Sequence, residues 1–153
     1  MNSAAKREAE KVNDVLITIK STQRNGENSD VTEVITEGRY QRTAIGCEML
    51  YNETEATGFE GSQTVVRIIP GERLEMTRSG SANTDLLIET GRKNYCCYGT
   101  PYGEVTIGAI AKKVEADIGD SSCSATAEYT MDINSELLGE YTLEISVKLF
   151  FVD

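Results

Sequence analysis

From Val15 onward, apolar and polar residues change places with a period of two. That period marks strands with one face buried and one face wet. Val15, Ile17 and Ile19 alternate with Leu16, Thr18 and Lys20. A turn is predicted over 23–29, where Asn25-Gly26 suits positive φ, and a second strand over about 30–42. A third strand follows over about 44–53, then a turn over 55–61. The fourth, 63–69, ends at Pro70-Gly71, and the fifth is 73–78. A turn over 79–83 leads to a sixth strand, 85–89, and Gly91 to a seventh, about 93–98. Residues 99–103 form the next connection, and a long eighth strand covers 104 to about 118. In the ninth strand, 123–133, Cys123, Ala125, Ala127, Tyr129, Met131 and Ile133 share a face. In the tenth, about 140–152, Tyr141, Leu143, Ile145, Val147, Leu149 and Phe151 share one.

About ten short-linked strands and no convincing long helix predict an all-β fold. Parallel strands need long crossovers that the chain lacks, so the sheet is expected to be antiparallel. Closing ten strands on themselves removes two exposed edges. A single closed up-and-down barrel is therefore expected over 14–153, with a two-sheet sandwich as the alternative. Residues 1–13 are polar and helix-favouring but too short to hold a helix alone. They read as a tail or a short helical turn.

Charge narrows the partners. Fifteen basic residues face 25 acidic ones, for a net charge of −10. Such a surface repels phosphate backbones and anionic headgroups, so neither nucleic acid nor a membrane is expected as a partner. No secretory signal or run of ~20 apolar residues is seen, so a cytoplasmic location is expected. Cys47, Cys96, Cys97 and Cys123 are then expected to be reduced thiols packed as small apolar groups.

Four fragments carry a family resemblance: Leu50-Tyr51-Asn52-Glu53, Met76-Thr77-Arg78-Ser79-Gly80, Tyr98-Gly99-Thr100-Pro101-Tyr102-Gly103, and 127–134 (AEYTMDIN). In order and spacing the chain from about Val15 resembles the YwiB-like family of small bacterial proteins of unknown function. The resemblance implies a lipocalin-like (calycin) β-barrel and favours the barrel over the sandwich. It implies no activity. Calycin barrels often hold a small apolar molecule inside, which is an analogy of fold.

The chain has no histidine, which removes the commonest general base and metal ligand. Cys96 and Cys97 are adjacent, so in a strand they point to opposite faces, and no cysteine pair has zinc-ligand spacing. No cofactor, no metal and no catalytic residue is expected, and the protein is read as not an enzyme. Arg78 is the most informative residue. It shares parity with Leu74 and Met76, so it points into the barrel near one end. A buried guanidinium needs a carboxylate, carbonyls or a bound anion. Glu53 has the parity of Met49 and Tyr51 and is the natural partner. Tyr51, Tyr98, Thr100 and Tyr102 complete the candidate ligand-binding set. Two readings stay open: an anion-recognising cavity for a small, partly apolar ligand, or an Arg–Glu plug closing the barrel end. In the second, the protein is a structural or interaction module, such as a homodimer through a barrel face.

Overall fold

The computed structural model describes residues 13–81, 83–100 and 103–150, except for the side chains of Ala56 and residues 98–100. The tail expected over 1–13 lies outside them save for Asn13, which opens the first strand. Ten strands follow: β1 (Asn13–Asn25), β2 (Asn28–Arg42), β3 (Cys47–Asn52), β4 (Ser62–Ile69), β5 (Arg73–Gly80), β6 (Thr84–Glu89), β7 (Asn94–Thr100), β8 (Gly103–Ile118), β9 (Cys123–Ile133) and β10 (Glu136–Leu149). One 3-10 turn, Glu55–Thr57, interrupts the connection between β3 and β4.

All ten strands form one antiparallel sheet in the order β6-β5-β4-β3-β2-β1-β10-β9-β8-β7. Every neighbouring pair but β1 and β10 is consecutive in sequence, as an up-and-down barrel requires. The barrel is nearly closed. Between β6 and β7 the ladder reduces to the bridge Glu89–Arg92, and Thr90 pairs with Ala111 of β8 beside it.

The core follows parity. Val15, Ile17 and Ile19 of β1 are buried, as are Ala125, Ala127 and Tyr129 of β9 and Leu143, Ile145 and Val147 of β10. In β8 the parity reverses partway. Ala109 and Ala111 are buried, then Val114, because the register against β9 shifts between Ala111 and Lys113. One extra residue in a strand turns the following side chains to the other face. The irregular stretch also meets its neighbours: the Ala111 carbonyl accepts from Gly91 N–H (3.1 Å) and that of Val114 from Gly71 N–H (2.7 Å). These bonds help close the barrel where the β6–β7 ladder fails.

Strand limits differ from expectation where turns are tighter than the sequence suggests. β10 begins at Glu136, because Asn134 (φ 51) and Ser135 (φ 68) make a two-residue hairpin with β9. β3 begins only at Cys47, after Thr43 N–H bonds the Gly46 carbonyl. β5 runs on to Gly80, and β7 and β8 pair to the limits of their hairpin, Thr100 to Gly103.

The two barrel ends are unlike. At one, the Tyr40 hydroxyl donates to the Gly119 carbonyl (2.8 Å) and lies 3.3 Å from that of Ser122. Beside it, Cys47 and Cys123 touch across the interior, sulfur to sulfur at 4.0 Å. This end is filled. The other carries the β1–β2, β3–β4, β5–β6, β7–β8 and β9–β10 connections, and there the interior opens.

Candidate functional site

The open end holds a cavity of about 500 Å³. Ile19, Val34, Met76, Leu86 and Leu143 give it apolar walls. Tyr129 lines it too, its ring stacked on Tyr141 with centroids 5.2 Å apart. The polar side is built from β3, β4 and β5. Register places Tyr51, Thr64 and Arg78 side by side on these three strands. Glu53 follows Tyr51 by two residues, so its side chain returns to the same face.

The Arg78 Nη2 lies 3.4 Å from Glu53 Oε1, with the two side chains 13% and 1% exposed. Glu53 Oε1 also accepts a short bond, 2.6 Å, from Thr64 Oγ1. Glu53 Oε2 and Arg78 Nε are both shut from water and have no hydrogen-bond partner among the described residues. The Phe59 ring lies over the guanidinium, 3.8 Å from carbon to ring centroid. That contact draws a cation to the negative face of the ring.

Phe59 is held there by the β3–β4 connection. Thr54 leads into the 3-10 turn, and Gly58, at φ 83, ends it in a conformation glycine takes without strain. The Phe59 carbonyl then accepts from Ser62 N–H at 3.0 Å, and Glu53 N–H donates to the Ser62 carbonyl at 2.8 Å. The loop thus clips both ends of the Glu53–Phe59 segment to the start of β4.

Tyr51 is 6% exposed. Burial, and then the Glu53 carboxylate, push its phenol above the ordinary tyrosine range, while Arg78 pulls the other way. It is a neutral donor at any physiological pH.

The structure therefore brings together three of the six candidate residues: Arg78, Glu53 and Tyr51. Tyr98 and Thr100 belong to the last residues of β7, which ends at the same barrel end. The side chains of Tyr98 and Thr100, and Tyr102 altogether, lie outside the described residues. The guanidinium is among the groups that line the cavity. Sequence reasoning missed Thr64 and Phe59. Thr64 shares parity with Val66 and Ile68 and is fully buried, a signal that was present. Phe59 stands alone in a turn, with no periodicity to assign it. The contact of Cys47 with Cys123 was also missed, because it joins strands far apart in sequence. Cys97 is exposed and Cys96 half-buried, as adjacent strand positions demand. Among the described residues no group of three acidic, cysteine or histidine side chains is placed to hold a metal ion.

A profile described as a domain of unknown function, DUF1934, matches residues 17–145. The uncharacterized β-barrel protein YwiB of Bacillus subtilis (strain 168) is 25% identical over 122 residues, which cover 80% of this chain and 84% of that protein. The crystal structure of the ywiB protein from Bacillus subtilis superposes with a TM-score of 0.79 at 18% identity, covering 95% of this chain and 99% of that one. The shared barrel is a likeness of fold.

Proposed function

The chain belongs to the DUF1934 family, and from that premise of unknown function we propose a non-catalytic protein that binds a small, partly apolar molecule in its barrel mouth. One observation carries the reading: the cavity of about 500 Å³ has largely apolar walls, the Ser21 and Thr32 hydroxyls on β1 and β2, and one charged cluster built on the Arg78–Glu53 pair. Cavities of a few hundred to a thousand Å³, mostly apolar with a few convergent polar groups, are where small molecules bind. The apolar walls take the body of the ligand, and Arg78 and Tyr51 offer donors to its head. A carboxylate is the head expected from the sequence alone. The barrel is calycin-like in this use of its interior.

The reading as a binder without catalysis draws on what the mouth offers. Its one carboxylate is already bonded to Arg78 and Thr64, and the chain has no histidine to move protons near neutrality. A cytoplasmic location is proposed on the same footing. No disulfide joins the described cysteines, and outward positions such as Lys20, Glu33, Glu115 and Glu144 suit water, not lipid. With a net charge of −10, nucleic acid is not proposed as a partner. The interaction-module alternative has less support. Val31 and Ile35 are exposed on the outer face of β2 but alternate with Glu33 and Glu37, whose charges oppose pairing with a second copy.

The test uses 8-anilinonaphthalene-1-sulfonate, a partly apolar fluorescent anion. Saturable binding with one site per chain is expected. Val34→Trp, which fills the cavity wall, should abolish it, and Ile35→Trp, on the outer face one residue on, should leave it. Equal binding by both variants would refute a site inside the barrel mouth.

A further inference from the structure

The β2 strand outruns the partner on one of its sides. It extends from Asn28 to Arg42, but β3 has only six residues and pairs with it from Gly38 to Arg42. The segment 28–37 pairs with β1 along one edge, and among the described residues no strand pairs with its other edge. In an antiparallel ladder, alternate residues turn both N–H and C=O away from a given neighbour. Alternate residues of 28–37 therefore aim backbone donors and acceptors at an open edge. Independently of the small-molecule reading above, we infer that this edge takes up an extended segment of another protein as an added strand, its side chains alternately aliphatic and basic.

There is room for such a strand. After Asn52 the chain leaves the sheet for the 3-10 turn, so a gap separates 28–37 from the β3–β4 connection. Cavities meet that gap on both faces of the sheet. The inner one, of about 500 Å³, touches Thr32 and Val34 on one bank and Thr57 and Phe59 on the other. A second, of about 410 Å³ on the outer face, touches Glu37 on one bank and Asn52 and Gln63 on the other.

The neighbours set the chemistry of the added strand. Thr32 and Val34 face the inner cavity, so the inward side chains of a strand beside them reach its largely apolar walls. Aliphatic residues suit those positions. The charged residues of 28–37 are Asp30, Glu33 and Glu37, with no basic residue among them. On β1, Lys20 stands opposite Glu33, but Gln23 stands opposite Asp30 and Leu16 opposite Glu37. The connection across the gap adds Glu55 and Glu60, both exposed. Outward charges keep a sheet edge from pairing with its own kind. Here they are of one sign, so they exclude a second copy and attract lysine or arginine on the outward face of the added strand. Main-chain bonds supply the affinity of such a contact, and alternate side chains its selectivity.

The probe is the peptide acetyl-Lys-Val-Lys-Val-Arg-Val-Lys-Val-amide, carrying fluorescein and titrated into the full chain by anisotropy. One peptide per chain should bind. The same peptide with glutamate at every basic position should bind at least about tenfold more weakly, as should the original peptide to the Glu33→Lys, Glu37→Lys double variant, whose changes lie at exposed positions. Two N-methylated peptides test the mode of binding. One is methylated on the nitrogen of every basic residue, the other on that of every valine. In a strand these two sets of N–H groups face opposite edges. One methylated peptide should lose affinity by at least about tenfold, because its ladder bonds are gone, and the other should keep it. Amide hydrogen exchange followed by nuclear magnetic resonance should show alternate amides of 28–37 open in the free protein and protected once the peptide is bound.

Equal affinity of the two methylated peptides would overturn the inference, leaving attraction between charges without a strand. Protection of all the 28–37 amides in the free protein would overturn it too, since a second copy or other residues of the chain would then already cover the edge. Failure of the basic peptide to bind would also end it, and would leave the small-molecule reading to stand or fall by the fluorescent anion alone.

Discussion

Arg78 shows how far parity alone reaches. Leu74 and Met76 face the barrel interior, so Arg78 does too, and its cost of burial calls for a carboxylate. Glu53, two residues past the buried Tyr51, has the parity to supply it, and the two meet at 3.4 Å. What parity could not show is which groups would share the pair. Thr64 takes Oε1 because register sets it between Tyr51 and Arg78, and register was not readable from one sequence. Phe59 reaches the guanidinium by way of a turn, which no period encodes. The energetics of the pair are open to measurement. Arg78→Met leaves a carboxylate that is 1% exposed without its counterion. It should destabilise the protein by roughly 3–5 kcal/mol in urea unfolding. Replacing both partners, Arg78→Met with Glu53→Leu, should recover most of that loss, because a well-packed apolar pair is about as stable as a buried ionic one. A double variant no more stable than Arg78→Met would show that the pair is not the unit that matters.

Among the elements, ten strands and their antiparallel arrangement were legible, because a period of two runs through β1, β3, β4 and β9 and turn signals divide the rest. Irregularities were not. The β8 strand reads as continuous, yet its buried positions change parity past Ala111, and the bulge responsible has no glycine or proline to announce it. The β9–β10 hairpin was also hidden, since Asn134-Ser135 is a weaker turn signal than Asn-Gly. Ser135 sits at φ 68, a conformation that costs a side chain ~1–2 kcal/mol. Ser135→Gly should therefore raise the urea midpoint by the equivalent of about 0.5–1 kcal/mol, part of the relief being lost to the freer unfolded chain. Gly46→Ala should do the opposite. A methyl group there would run into the Ile68 carbonyl oxygen, which is backbone and cannot turn aside. A loss of about 1–3 kcal/mol is expected from such overpacking. An unchanged midpoint would mean that the β2–β3 connection yields more easily than its contacts imply.

For the whole molecule, two buried phenols, Tyr40 at the filled end and Tyr51 at the open one, predict a response to alkali. Tyr40 and Tyr51 are both held above the ordinary value of 10.0, first of all by burial. An unfolded chain gives up these protons near pH 10, and the folded chain only at higher pH. Above pH 10 the unfolded state therefore binds fewer protons, and stability falls as pH rises. Below it the two states are alike in these groups and no effect is expected. Urea midpoints should thus hold steady from about pH 8 and then drop between about pH 9.5 and 11. Tyr51→Phe should make that drop shallower, and an equal slope would remove Tyr51 from the account. The seam between β6 and β7 has a consequence of another kind. Since β1 pairs with β10, the strands form a ring in which the chain's own break lies inside the sheet and the sheet's break lies at Gly91. A circular permutant that begins at Arg92 and joins the present ends by a flexible linker would make the two breaks coincide. Every strand ladder would then join neighbours in sequence, and the one long-range ladder among the described residues, β1 with β10, would become a local hairpin, while only the few bonds across the seam, such as Glu89 with Arg92 and Gly91 with Ala111, would become long-range. Its contact order falls with no change in contacts, so it should reach the same barrel faster than the parent chain in stopped-flow refolding.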